Sequence, residues 1–178
     1  MTADGTSDAA DPTRDSAMLD RDAEAVARLA FDRGWTVGTA ESLTSGAVAA
    51  ALGAAPGASQ WFRGSVVAYA KEVKFHLLGV PRGPVVSERA AVSMARGACR
   101  ELRADLCVAT TGAGGPDPED GEEPGTVWLA VASPLGFWAE EHHIVGDPST
   151  VVETATARAL ALLRSALEDD GTSRAGRA

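Results

Sequence analysis

The sequence predicts an α/β fold, a three-layer α/β/α sandwich on a mixed, mostly parallel sheet, built as a single domain. Helix-like and strand-like segments alternate through the first two thirds of the chain, a pattern that lays crossover helices on both faces of a sheet. A strand pair around Pro134-Leu135-Gly136 then adds an antiparallel portion. With 45% hydrophobic residues in 178, the chain carries enough apolar surface for one proper core.

The elements follow in order. From Leu19 to Arg33, residues Leu19, Ala23, Val26, Ala27 and Ala30 form one helical stripe that stops at Gly34. Residues 36–40 form a short strand, and residues 44–52 an Ala/Val-rich helix ended by Gly53 with a Pro56-Gly57 turn behind it. Residues 65–69 alternate as a second strand, Val67 and Tyr69 on one face and Val66 and Ala68 on the other. A short helix from about Lys71 to Leu78 stops at Gly79, with Pro81 beyond. Ser87 is a good N-cap for a helix running through Leu102, and residues 106–110 read as a buried strand. Residues 126–132 and 137–144 pair as a hairpin, and Ser149 caps a last helix reaching about Leu167.

The domain is expected at residues 18–168, between a disordered arm at 1–17 and a disordered tail at 169–178, both polar and aperiodic. No apolar run approaches the roughly 20 residues of a membrane span, and Asp4, Asp8, Asp11 and Asp15 do not fit a signal peptide. A cytoplasmic protein with no membrane partner is expected. The formal charge of −9 is concentrated in the arm and in the acidic run from Asp117 to Glu123. The remaining body is nearly neutral, so it does not repel a phosphorylated small molecule and lacks the basic stripe of a nucleic-acid binder. Cys99 and Cys107 make no disulfide framework and read as small buried hydrophobes. No metal or other cofactor is expected, because adjacent His142 and His143 point to opposite faces of a strand and His76 stands alone. Trp61, Phe62 and Trp138 suit either a homodimer interface or the core.

Ligands in open α/β sheets bind at the carboxyl ends of strands, so the strand-to-helix junctions are the places to look for chemistry. The first is Thr39-Ala-Glu-Ser-Leu-Thr-Ser-Gly46, with more hydroxyls than a helix cap needs, a carboxylate at Glu41 and a helix start that favours an anion. Ordinary N-capping by Ser42 or Thr44 is the simpler reading. The second junction holds the only tyrosine and both lysines of the chain, as Tyr69-Ala-Lys71-Glu-Val-Lys74. The other basic residues are all arginine, which cannot lose its proton, whereas a desolvated lysine can. This segment is either a proton-handling pair or a solvated helix start. The third junction is Thr110-Thr-Gly-Ala-Gly-Gly-Pro116, where Thr110 and Thr111 offer hydroxyls and Gly112 and Gly114 let a substrate approach the backbone, or which is simply a tight turn. It is not a Walker loop, since no Gly-Lys-Ser/Thr follows. The acidic run beyond it reads as a solvated loop or a lid.

These blocks carry a resemblance. Together with Phe62-Arg-Gly-Ser-Val-Val-Ala-Tyr69, Leu77-Leu-Gly-Val80, Val86-Ser87-Glu88 and Gly125-Thr-Val-Trp128, they resemble the C-terminal domain of the CinA competence/damage-inducible family, in order, from about residue 20 to 167. The resemblance implies a nicotinamide-nucleotide amidohydrolase, converting nicotinamide mononucleotide to nicotinate mononucleotide and ammonia, with the domain standing alone. It also implies a catalytic set of Ser42, Tyr69 and Lys74, with Glu41, Thr44, Ser45, Gly46, Lys71, Thr111, Gly112 and Gly114 around the substrate. Such a set suits an amide: a serine hydroxyl is a weak nucleophile until a base takes its proton, and a buried neutral lysine, alone or through a tyrosine, is such a base. Lys71 is placed to act as a second cation beside it, and the helix start at Thr44–Gly46 to hold the oxyanion. A second reading is a catalytically weak nucleotide-binding or protein-interaction domain linked to competence or DNA damage.

The chain departs from the family pattern at four places. Ser45 stands where the family has glycine, Lys71 where it has asparagine, Gly114 where it has alanine, and Pro148 where it favours arginine after Gly-Asp. The last change removes a cation suited to a phosphate, for which Arg63 or Arg158 are the available replacements.

Overall fold

Five short strands assemble into one sheet in the order β2-β1-β3-β4-β5, in a computed structural model that describes residues 12–169, with side chains from residue 18. The strands are β1 (Val37–Glu41), β2 (Phe62–Val67), β3 (Leu106–Gly112), β4 (Thr126–Ser133) and β5 (Gly136–His143). β1 pairs parallel with both β2 and β3, whereas β3–β4 and β4–β5 are antiparallel. Four strands therefore point one way and β4 alone runs against them. The helices are α1 (Pro12–Arg33), α2 (Ala47–Ala54), α3 (Ala58–Trp61), α4 (Lys71–His76), α5 (Glu88–Leu102) and α6 (Pro148–Glu168).

Strand alternation divides the core into two unlike halves. Val37, Leu106, Val108, Leu129 and Val131 face α1, α2 and α6, where Val26, Leu52, Leu160 and Leu163 complete a bulky aliphatic layer. The opposite face presents Ala40, Cys107, Ala109, Ala130 and Ala132 to Ala91, Met94, Ala95 and Ala98 of α5. Small residues on both sides let α5 lie close to the sheet. Gly97 extends that closeness, since a Cβ there would sit 2.2 Å from the carbonyl oxygen of Leu78.

Several boundaries differ from expectation. α1 begins at Pro12, so residues 12–17 of the expected arm are its first turns, while residues 1–11 and 170–178 lie outside the described residues. β2 spans Phe62–Val67 and not 65–69, because its pairing with β1 starts at Phe62 and leaves Tyr69 beyond the ladder. α2 runs through Gly53 and stops before Pro56, whose ring forces extended backbone on Ala55. The N-cap of α6 is Asp147, accepting from the Thr150 amide at 2.8 Å, with Pro148 in the first turn; Ser149 donates to that same carboxylate at 2.7 Å. Ser87 caps α5 as expected, accepting from the Ala90 amide at 3.2 Å.

The connection from β1 to β2 runs through α2 and α3 on one face, and that from β2 to β3 through α4 and α5 on the other. The chain thus diverges between β1 and β3. Their register aligns Glu41 with Thr110, and Glu41 also with Val67, so β1 and β2 end level at this divergence and β3 runs two residues beyond. In an open α/β sheet that crevice is where ligands bind.

Candidate active site

At the carboxyl end of β1, Glu41 is fully buried and six donors converge on it. Its Oε2 accepts from Thr44 Oγ1 at 2.8 Å and from the amides of Gly46 at 2.9 Å and Val48 at 3.2 Å. Its Oε1 accepts from Thr39 Oγ1 at 3.1 Å, the Ala49 amide at 2.9 Å and Ser65 Oγ at 3.3 Å. Glu41 is therefore the anion at the start of α2, whose own N-cap, Gly46, has no side chain to offer. This corrects the expectation that Ser42 or Thr44 caps the helix. It also takes the Gly46 amide out of the oxyanion site expected at residues 44–46, because the Glu41 carboxylate already accepts from it.

Ser42 follows directly and is 8% exposed. Its amide donates to Thr110 O at 3.0 Å, tying the end of β1 to β3. Among the described residues its hydroxyl has no hydrogen-bond partner, and the amides of Leu43 and Thr44 have no acceptor. Thr44 Oγ1 also meets Thr110 Oγ1 at 2.8 Å. Ser45 adopts the left-handed conformation at φ 51° with its side chain in solvent, at the position where glycine was expected.

The glycine-rich loop forms the facing wall. Gly112 ends β3, and Gly114 comes against Leu43, a Cβ there lying 3.8 Å from that of Leu43. The Thr111 hydroxyl is turned away, donating to Val85 O at 2.7 Å, so it anchors the segment before α5.

α4 supplies the lysines. Lys74 is 1% exposed and heads the largest fully buried side chains of the described residues. Its amine donates to the backbone carbonyl of Tyr69 at 3.0 Å. Burial holds the amine below its ordinary range; Glu119 opposes this, Lys71 reinforces it and Asp120 again opposes it. Tyr69 contributes that carbonyl, while its ring is 71% exposed and its phenol bonds neither lysine. Lys71 ion-pairs with Asp120 at 2.5 Å and lies 3.9 Å from Glu119. Asp120 also accepts from the Val85 amide at 2.6 Å, so the acidic segment is fastened to α4 and to the start of α5. No hydrogen bond joins Ser42, the Tyr69 phenol and Lys74 among the described residues.

Sequence reasoning named Glu41, Ser42, Thr44, Tyr69, Lys74 and the Thr110 hydroxyl but missed Ser65 and Asp120 as members of the same network. Ser65 alternates onto the face of Glu41 in any strand reading and was within reach of the sequence. Asp120 was not, since its partners lie 35 and 49 residues away.

Residues 20–167 match the CinA C-terminal domain family. The chain belongs to that family. A CinA-like protein of Geobacter metallireducens is 39% identical over 148 residues, covering 80% of this chain and 36% of its own length. A CinA-like protein of Frankia casuarinae is 39% identical over 144 residues, 78% of this chain and 33% of that one. The chain thus spans about a third of the length of these relatives. A crystal structure of a CinA superfamily protein from Klebsiella pneumoniae superposes with a TM-score of 0.80 at 33% identity, covering 84% of this chain and 98% of that one. One from Escherichia coli gives 0.80 at 31%, covering 93% and 99%. Within this CinA C-terminal domain the departures at Ser45, Lys71, Gly114 and Pro148 all lie in the loops and helix starts just described, and none alters Ser42, Tyr69 or Lys74.

Proposed function

We propose that the domain is an amidohydrolase that converts nicotinamide mononucleotide, or a close relative, to the corresponding carboxylate and ammonia. The observation that carries this reading is Lys74, a buried amine whose pKa burial lowers and whose one hydrogen bond among the described residues goes to a backbone carbonyl. An ammonium has three donors to satisfy, whereas a neutral amine needs fewer and offers a lone pair. Such an amine beside a crevice with an unengaged serine hydroxyl is suited to general-base catalysis.

In this reading the neutral Lys74 takes the Ser42 proton as Oγ attacks the carboxamide carbon. The oxyanion is held by the Leu43 and Thr44 amides, which are open, and no longer by the amides that Glu41 occupies. Collapse expels ammonia with the proton carried by Lys74, and water then releases the carboxylate from Ser42 with Lys74 again as base. Glu41 positions the serine loop without touching substrate. Tyr69 orients the lysine through its carbonyl, and its exposed ring lies open to stack on a pyridine ring.

A second reading, a nucleotide-binding or interaction domain without useful turnover, is favoured by the missing hydrogen bond between Ser42 and Lys74. Ammonia release from nicotinamide mononucleotide, measured alongside calorimetric binding, separates the two. Turnover supports the amidohydrolase; binding without turnover, at enzyme concentrations near those of substrate, supports the second reading and defeats the first.

A further inference from the structure

The opposite end of the sheet carries a feature that the amide chemistry does not use. A cavity of about 310 Å³ opens between the end of α5, the start of β3 and the β4–β5 turn, lined by Arg96, Cys99, Asp105, Ser133 and Phe137 among others. Arg96, one turn before Cys99 on α5, stacks its guanidinium 3.9 Å from the centre of the Phe137 ring. Cys99 is half-buried and faces this space, and Cys107 is buried directly behind it.

The two cysteines are neighbours across the helix–sheet contact. Cys99 Sγ donates to Ala132 O at 3.3 Å, and Ala132 is the residue paired with Cys107 across the β3–β4 ladder. Cys107 lies behind Cys99 in the same alanine-lined contact, with Gly38 of β1 against its sulfur. The Cys107 thiol holds Cys99 below the ordinary thiol range, against its burial and the charge of Asp105. The Cys99 sulfur and burial push the Cys107 thiol up, so it stays protonated. The roles are therefore unequal: one sulfur is accessible and ionises first, the other is enclosed and protonated. The alanine-lined face under α5 is what lets a helix-borne sulfur reach the β3–β4 ladder beside Cys107.

We infer that Cys99 and Cys107 form a dithiol site for oxidation by hydroperoxides, with Cys99 attacking from the cavity and Cys107 resolving. In the first step the Cys99 thiolate attacks one peroxide oxygen, the O–O bond breaks, hydroxide leaves and Cys99 becomes a sulfenic acid. In the second, the Cys107 sulfur attacks the Cys99 sulfur, the S–O bond breaks, and the Cys107 proton leaves with the hydroxyl group as water. Two thiols and one peroxide give one disulfide and two waters.

The test uses the full chain and hydrogen peroxide, with thiols counted after denaturation and intact mass measured. The wild type is expected to lose both thiols while remaining monomeric in its covalent state, lighter by two hydrogens, with a Cys99–Cys107 cross-linked peptide and reversal by dithiothreitol. Cys99→Ser is expected to slow thiol loss at least about tenfold, and Cys107→Ser to stop at a sulfenic acid that dimedone captures. If Cys107→Ser fails to fold, the wild-type thiol count and peptide map still decide. Retention of both thiols in the wild type, covalent dimers between copies, or thiol loss unchanged by Cys99→Ser would each overturn the inference.

Discussion

Replacing Glu41 with glutamine changes two oxygens into one oxygen and one NH₂ without changing shape. If the NH₂ takes the place of Oε2, the amides of Gly46 and Val48 both face a donor; if it replaces Oε1, only the Ala49 amide does. The second orientation is preferred, because the Thr39 and Ser65 hydroxyls can rotate to accept. One orphaned buried amide costs about 1–3 kcal/mol. Loss of the anion at the start of α2 adds roughly 0.3–1 kcal/mol, since only the first turn feels it. Glu41→Gln should therefore destabilise by about 1–4 kcal/mol, read as a lowered urea midpoint in circular dichroism at unchanged slope. Glu41→Ala orphans three amides and should cost more, whereas Ser65→Ala, losing one long hydrogen bond, should stay within about 1 kcal/mol. A Glu41→Gln variant within about 0.5 kcal/mol of wild type would show that the carboxylate does not organise the serine loop.

Ser45→Gly relieves a left-handed side-chain conformation costing about 1–2 kcal/mol, offset in part by glycine's extra chain entropy; a net gain of about 0.5–1 kcal/mol should appear as a higher thermal midpoint. Lys74→Met tests the buried amine by its pH dependence. The folded pKa lies below the ordinary 10.5 of a lysine, so between the two values the unfolded chain holds a proton that the native one does not, and wild-type stability rises with pH through that window. The methionine variant should lose that rise, gaining over wild type most at neutral pH and least above 10.5, in urea titrations across pH. Asp120→Asn sets its NH₂ against one of two donors, the Lys71 amine or the Val85 amide, and should cost about 1 kcal/mol. It also removes a charge that raises the Lys74 pKa, so the acid limb of a kcat/KM profile should move to lower pH.

The layered fold was legible because each layer rests on local signals. α5 shows this best: Ser87 and the alanine stripe announce both its start and its buried face. β2 was displaced because an edge strand's limits are set by its pairing with β1, which no window of sequence contains. α3 went unseen as a single turn between a Pro-Gly turn and a strand. At the site, Ser42 and Lys74 were legible as a surplus hydroxyl and a rare amine. The helix cap was not, since capping rules look three residues ahead whereas Glu41 reaches amides five to eight residues on. Lys71 was read as a free second cation, and only the fold reveals that Asp120 neutralises it.

The proposed amide hydrolysis at the crevice between β1 and β3 depends on the buried Lys74 amine as its base. Ammonia release from nicotinamide mononucleotide by wild type and Lys74→Met, with kcat and KM resolved, tests that dependence. Wild-type turnover is expected, with a fall in kcat of at least about a hundredfold in the variant at nearly unchanged KM. A Lys74→Met enzyme that keeps the wild-type kcat would contradict it.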